Sequence, residues 1–385
     1  MQKKLIVLAL AGLSAASAFA QSNVTVYGRV DYGYVSRGGS DGAVADLGRK
    51  NEMASGVQSG SRLGFKGAED LGNGLKAIFE VESGLSNDAA STQSGGLFAT
   101  NRHAYVGLTG AFGTAVGGRL DGVRYGLFNK YDAFGGGGIG NFTQMTGQVD
   151  RADNAIAYIS PNFSGFTLTL AHATQVGGQE YAGNAAVAAV ANNLGAVTGT
   201  TGVAAVTQKD ANTGDGVLNT IMLNYENGPI SLSADYEQVV IDSARRAGGV
   251  NGADKVKVWV LAGSYNFGMV KLSALYDSHH TTKVGTGDLV DYKDWFISAK
   301  VPYGKFDFKA TYGQVNNNLS GTSKMDSNKI GLGVNYNLSK RTNVYFDFGT
   351  INNERNATLA LNQAANSNGA GHGTNGYNLG LAHNF

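Results

Sequence analysis

Five arginines set out the chemistry open to this chain: Arg29, Arg62, Arg102, Arg119 and Arg151. A guanidinium keeps its charge at any physiological pH and donates hydrogen bonds in a rigid planar fork, so it attracts and orients anions and does not shuttle protons. Between Arg119 and Arg151 runs the stretch from Asp121 to Asp150, DGVRYGLFNKYDAFGGGGIGNFTQMTGQVD. It is too long for an ordinary connection, and long loops in compact architectures are functional or disordered. Its run Gly135-Gly136-Gly137-Gly138 is expected neither to hold a helix nor to fill a core. Inside the stretch, Arg124 and Lys130 face a single acid, Asp132, with Asp121 and Asp150 at the two ends.

Other residue types that could do chemistry lead nowhere. The glycines from Gly135 to Gly140 lack the Lys-Ser/Thr and the strand-to-helix setting of a phosphate loop. His279 and His280 are adjacent at the start of a polar stretch, and neighbours on a strand point to opposite faces, so they do not ligate one metal; an exposed loop pair is the expectation. No nucleophile-elbow motif points to a Ser-His-Asp set. The chain has no cysteine, which excludes thiol catalysis, thiolate metal sites and disulfides. No catalytic set, metal site or cofactor is therefore expected.

What must position the arginines is a set of strands. In Asn23-Val24-Thr25-Val26-Tyr27-Gly28-Arg29-Val30-Asp31-Tyr32 the even positions are mostly apolar, and the odd ones carry Arg29 and Asp31. Side chains alternate across a strand, so Arg29 faces away from Val30, and Arg62 away from Leu63 and Phe65. Later segments repeat the pattern. Lys255 to Leu261 puts valines on even positions, Asn343 to Phe348 puts Val344, Phe346 and Phe348 on one face, and Lys305 to Lys309 sets two phenylalanines against three charges. Asp31 and Asp153 share parity with neighbouring arginines and temper their field. A charged face repeated around the whole chain is too costly to pack dry, and fits a water-filled interior.

Seven short turn-like connections, rich in Gly, Asn, Pro and Ser, alternate with eight long polar stretches: 37–57, 86–100, 121–150, 176–216, 242–254, 279–290, 316–326 and 353–374. Fifteen connections join sixteen strands. An even strand number with short turns at one end and long loops at the other predicts an all-β, 16-stranded antiparallel transmembrane barrel, with short periplasmic turns, long extracellular loops and the third loop, 121–150, folded inward. Aromatic residues at strand ends would form girdles at the two interfaces. The last strand pairs with the first to remove the open edges that a bilayer forbids; its outward face is Tyr377, Leu379, Leu381 and Phe385. Residues 1–20 read as an export signal, with Lys3-Lys4, an apolar core from Leu5 to Ala16, and Ala18-Phe19-Ala20 as the cleavage site. Its removal takes two positive charges and turns the net +1 into −1, far from the basic footprint of a nucleic-acid binder.

These residues resemble a family. Val26-Tyr27-Gly28-Arg29, Ser61-Arg62-Leu63-Gly64-Phe65-Lys66-Gly67, Ala104-Tyr105-Val106-Gly107-Leu108, Gly118-Arg119 and the terminal Phe385 are similar in order and spacing to the 16-stranded, trimeric general-diffusion porins of the Gram-negative outer membrane. The likeness covers 21–385. It implies passive diffusion of small ions and solutes through a water-filled pore. It also implies a homotrimer seated in outer-membrane lipid and lipopolysaccharide, and Phe385 as the signal read by the barrel assembly machinery. The resemblance puts Arg29, Arg62, Arg102 and Arg151 in a basic ladder facing the inward loop, with Arg119 where the chain enters that loop. Cation-preferring relatives carry an acidic cluster on this loop. Here Asp132 stands alone against Arg124 and Lys130, so an anion preference is expected. The constriction set is thus Arg29, Arg62, Arg102, Arg119, Arg124, Lys130, Asp132, Arg151 and Asp153. The rival readings are an outer-membrane barrel enzyme, which would need an acid–base or nucleophile set near the rim, and a secreted β-rich adhesin, which would not need the alternating connections or Phe385.

Overall fold

The computed structural model describes residues 23–88, 101–146, 148–176, 216–242, 253–283, 287–318, 324–361 and 371–385. The export-signal reading of 1–20 lies outside them. The chain forms one antiparallel sheet that closes on itself. In order the strands are β1 (Asn23–Gly38), β2 (Lys50–Ser55), β3 (Arg62–Gly72), β4 (Leu75–Gly84), β5 (Asn101–Gly110), β6 (Gly113–Asp121), β7 (Arg151–Ile159) and β8 (Phe166–Val176). The second half holds β9 (Val217–Asn227), β10 (Ile230–Asp242), β11 (Ala253–Asn266), β12 (Lys271–Lys283), β13 (Gly287–Tyr303), β14 (Phe306–Asn317), β15 (Ser327–Asn337), β16 (Thr342–Asn353) and β17 (Asn375–Asn384).

Seventeen segments fill sixteen wall positions, because β2 and β3 are two pieces of one strand. The first half of β1 pairs with β3, Asn23 opposite Ala68 through Arg29 opposite Arg62; the second half pairs with β2, Tyr32 opposite Ser55 through Arg37 opposite Lys50. Residues 56–61 leave the ladder and turn into the lumen. Asp31 pins this break by accepting hydrogen bonds from the backbone N–H groups of Gln58 (3.0 Å) and Ser59 (2.8 Å). The barrel closes where β1 meets β17, Arg29 opposite Asn384 through Gly38 opposite Asn375. Phe385 extends that seam with two backbone bonds to Gly28, each 3.1 Å. Its ring lies on Gly28, where a side chain's first carbon would meet it at 2.4 Å.

The wall is inside-out relative to a soluble sandwich. Large apolar side chains such as Val26, Ile156, Trp259, Leu332 and Leu381 are exposed on the outer surface, whereas Asp31, Asp277, Asp294, Asp347 and Asn378 are buried inside. No helix among the described residues is long and apolar enough to cross a bilayer; the strands supply the crossing. Exposed aromatics such as Phe112, Phe163, Phe267 and Tyr303 crowd the short-turn end, as a girdle requires.

Two expectations about the wall are corrected. The stretch 279–290 is not a long loop: β12 continues to Lys283 and β13 begins at Gly287. His279 is accordingly not an exposed loop residue. It is fully buried in the lumen, stacked on Tyr292 with ring centroids 4.6 Å apart. His279 and Thr281 on β12 and Tyr292 on β13 are buried in alternation with their neighbours, and their cross-strand pairing outweighs their polarity. The first long connection is also shorter than 37–57, since β1 runs to Gly38 and β2 starts at Lys50. Along β11 the even-numbered valines Val256, Val258 and Val260 face inward, while Trp259 and Leu261 face out. A dry patch inside a polar lumen needs a cover, and the inward loop is that cover.

Candidate functional site

The chain between β6 and β7 turns into the barrel and starts with a helix, α1 (Val123–Tyr131). Gly122 gives α1 no side-chain cap, and its first turn carries no acid. The wall supplies the missing partner: the Glu237 carboxylate accepts the Arg124 N–H at 3.1 Å, placing negative charge at the positive end of the helix. Leu127, Phe128 and Tyr131 of α1, with Phe134, Ile139, Phe142 and Met145 after it, are buried; Phe128 and Phe142 both pack on Phe296 of β13, at 5.8 and 5.3 Å. Burial of each such side chain is worth about 1.5–3 kcal/mol. The loop therefore opens with a helix ahead of its glycine run and packs an apolar core into the lumen.

The glycine run takes no helix, but it does the docking. Gly138 N–H bonds the Val57 carbonyl at 2.8 Å, inside the wall break, and Ile139 N–H bonds Asn378 Oδ1 at 2.7 Å. A first side-chain carbon at Gly137 would lie 1.4 Å from the Gln58 carbonyl. The wall answers with its own glycines: one at Gly331 would sit 1.9 Å from the Gly140 carbonyl. Backbone meets backbone on both sides, a separation that only glycine permits.

The nine expected constriction residues divide into groups. Arg29 and Arg62 stand directly opposite each other on β1 and β3. Arg62 Nε and Arg102 Nε share Glu82, at 3.3 and 2.5 Å, so three guanidiniums line one wall from β1 to β5. Arg29 also bonds Gln58 Oε1 at 2.6 Å and Asp31 at 3.3 Å. Farther round, Arg119 pairs with Asp153, and Arg151 with Asp121 at 3.1 Å. Asp150, beside them at the loop's end, is pushed above the usual carboxylate range by burial, against the pull of Arg151, Arg102 and Arg119.

The loop's own charges behave otherwise. Arg124 does not face the pore. It is buried under α1, in an ion pair with Asp277 and over the Phe128 ring. Burial opposes its charge, yet the Asp277 and Asp294 carboxylates hold the guanidinium more firmly protonated than usual. Asp132 is buried as well: its oxygens accept the N–H groups of Phe134 (3.0 Å) and Phe142 (2.7 Å) and the Thr311 hydroxyl (3.0 Å), closing the loop on itself and on β14. Desolvation raises its pKa despite those bonds. Lys130 remains in the lumen, 2.8 Å from Glu226.

Strand alternation alone did not single out the acids that matter. Asp277 stands directly opposite Asp294 across β12 and β13, and Asp235 and Glu237 lie on β10. Their side chains are 0–3% exposed beneath α1. On the opposite wall, Arg29, Arg62, Arg102 and Arg119 keep 13, 25, 16 and 32% of their side-chain surface open. The loop thus hides the acidic wall and leaves the basic wall facing the water. Phe385 is seated on the closing seam, with Tyr377, Leu379 and Leu381 exposed on the outer face of β17.

A closed antiparallel wall, apolar outside and charged inside, narrowed by a loop folded into its lumen, defines a transmembrane channel protein. Comparison with known proteins narrows the class. The chain belongs to the Gram-negative porin family, whose model matches residues 5–356. It is similar to outer membrane porin protein 32 of Delftia acidovorans, at 31% identity with all of both chains covered. An outer membrane porin protein of Bordetella pertussis is also 31% identical, over 90% of this chain and 93% of its own. Among solved structures, an anion-selective porin from Comamonas acidovorans superposes with a TM-score of 0.73 at 28% identity, covering 95% of this chain and 100% of its own. The protein is an outer-membrane porin, a water-filled channel for passive diffusion of small hydrophilic solutes.

Proposed function

We propose that the pore prefers anions, and that Arg29, Arg62 and Arg102 set the preference. The observation that carries this is the like-charge row on β1, β3 and β5. Like charges directly opposite each other destabilise a sheet, and Arg29 opposite Arg62 bears that cost beside the inward loop. The four acids across the lumen are withdrawn beneath α1. Fixed charge in a water-filled space with low-dielectric walls is focused on passing ions. The anion-selective relative from Comamonas acidovorans supports the same reading. Stretch 121–150 is the constriction loop, Arg119, Arg151 and Lys130 extend the positive field, and Asp153 tempers it. Arg124 and Asp132 serve to hold the loop.

The test is the zero-current potential across a salt gradient in a planar bilayer. An anion-preferring potential at low salt, falling as the Debye length shrinks from about 10 Å at roughly 0.1 M, supports the proposal; strong cation preference refutes it. The same reading takes the chain to be a homotrimer, as the family resemblance implies, exported by a cleaved signal at 1–20 and assembled through Phe385 by the barrel machinery among lipid and lipopolysaccharide. A channel carrying no reaction completes it.

A further inference from the structure

A second cationic feature lies on β12 to β14 and shares a cavity with Arg29 of β1. Lys271 on β12 is directly opposite Lys300 on β13, and Lys300 is directly opposite Lys309 on β14. Three ammonium groups thus stand in a row on three adjacent strands, where the sheet alone would disfavour them. The next inward step repeats the alignment with hydroxyls: Ser273 faces Ser298. Lys130 of the loop reaches the same place. All six residues line one cavity of about 390 Å³ near the short-turn end of the lumen, within the span of about 300–1,000 Å³ common to small-molecule sites.

The nearby carboxylates do not fill this place. Lys309 is committed to Asp347 at 2.8 Å and to the Phe134 ring at 4.6 Å. Lys300 has Asp307 only at 3.5 Å, and Lys130 holds Glu226, a carboxylate that is itself 61% exposed. No carboxylate lies within ion-pair distance of Lys271 among the described residues. Asp132 lines the cavity, but the loop's own donors occupy its oxygens. A compact ammonium is a point charge suited to phosphate oxygens, and the Ser273 hydroxyl can donate beside it, whereas Ser298 is engaged by the Ala133 N–H at 2.6 Å and by Thr311 at 2.9 Å.

We infer that Lys130, Lys271 and Lys300, with Ser273, form a binding station for a compact phosphate-bearing anion of the diphosphate class, on the short-turn side of the constriction. The inference rests on the anion reading above and adds a place of residence. A solute held there would slow the chloride current through the same lumen.

Inorganic pyrophosphate added on the short-turn side of the full-length mature protein in a planar bilayer tests this. The expected result is a saturable block of chloride conductance, weakened about tenfold or more by the double change Lys271→Gln and Lys300→Gln, as loss of charged hydrogen bonds would require. Lys271→Arg with Lys300→Arg should keep the block, which guards against a folding defect in the glutamine pair. Arg62→Gln with Arg102→Gln should shift the reversal potential in simple salt and leave the block in place. A block untouched by the glutamine pair, or removed equally by the arginine pair, overturns the station. Citrate blocking as strongly as pyrophosphate overturns the phosphate assignment. A cation-preferring reversal potential in simple salt sinks the anion reading alone, since a lysine-dependent block would still stand.

Discussion

Single residues here matter by whether their charge stays in the water. Arg29, Arg62 and Arg102 share Glu82 and Asp31 and keep part of their surface open, whereas Arg124 is spent on Asp277 under α1. Replacing Arg124 with methionine removes one partner of a buried pair and strands Asp277 and Asp294. The expected cost is about 3–5 kcal/mol, read as a lower thermal midpoint of the assembled protein; an unchanged midpoint would show that the pair does not anchor the loop. Alternation gave the facing of Arg29 and Arg62 directly, because each sits in a regular strand. It was silent on Arg102 and Arg119, which lie at ladder irregularities between Glu82 and Ser83 and between Gly118 and Leu120. A one-residue irregularity reverses facing beyond it. It was equally silent on which charges end up opposite one another, since register depends on the pairing of two segments. The row Lys271, Lys300 and Lys309 is visible only once the strands are aligned.

At the scale of elements, the inward loop is a docked part of the barrel. Its helix is fixed by Glu237 and Asp277, its tip by Val57 and Asn378, and its turn by Asp132. The bounds of this loop were legible, since the alternating pattern stops at Asp121 and resumes at Arg151. Its interior was not: α1 has no capping residue or acidic first turn of its own, and the glycine run owes its conformation to the wall break at 56–61. Removing Gly135 to Gly140 should leave a folded barrel with altered single-channel conductance. Conductance equal to that of the parent would place the loop's control of the pore elsewhere. A narrower probe is Gly137→Val, which forces the tip off Gln58. Here the expected sign is a larger, noisier open current with the wall intact by heat-modifiability on gels.

The whole molecule depends on closure, because an open sheet edge in lipid leaves backbone groups unpaired. The seam is β1 against β17, and Phe385 extends it by two backbone bonds while its ring fills the space left at Gly28. Deleting Phe385 is expected to lower the yield of inserted protein and leave more in the periplasm, as cell fractionation would read; unchanged, heat-modifiable protein in the outer membrane would make Phe385 only one more outward aromatic. Closure also gives the lumen two unlike walls, arginines on β1 to β5 and acids on β10 to β13, with α1 laid over the acids. Under this cover a nearly neutral chain is expected to behave as a positive pore. The most direct test is the reversal potential at low salt, in the parent and in the protein carrying Arg62→Gln with Arg102→Gln. Anion preference is expected in the parent, with a clear move toward cations in the double variant. A cation-selective parent, or a variant whose potential stays where the parent's was, would contradict that expectation.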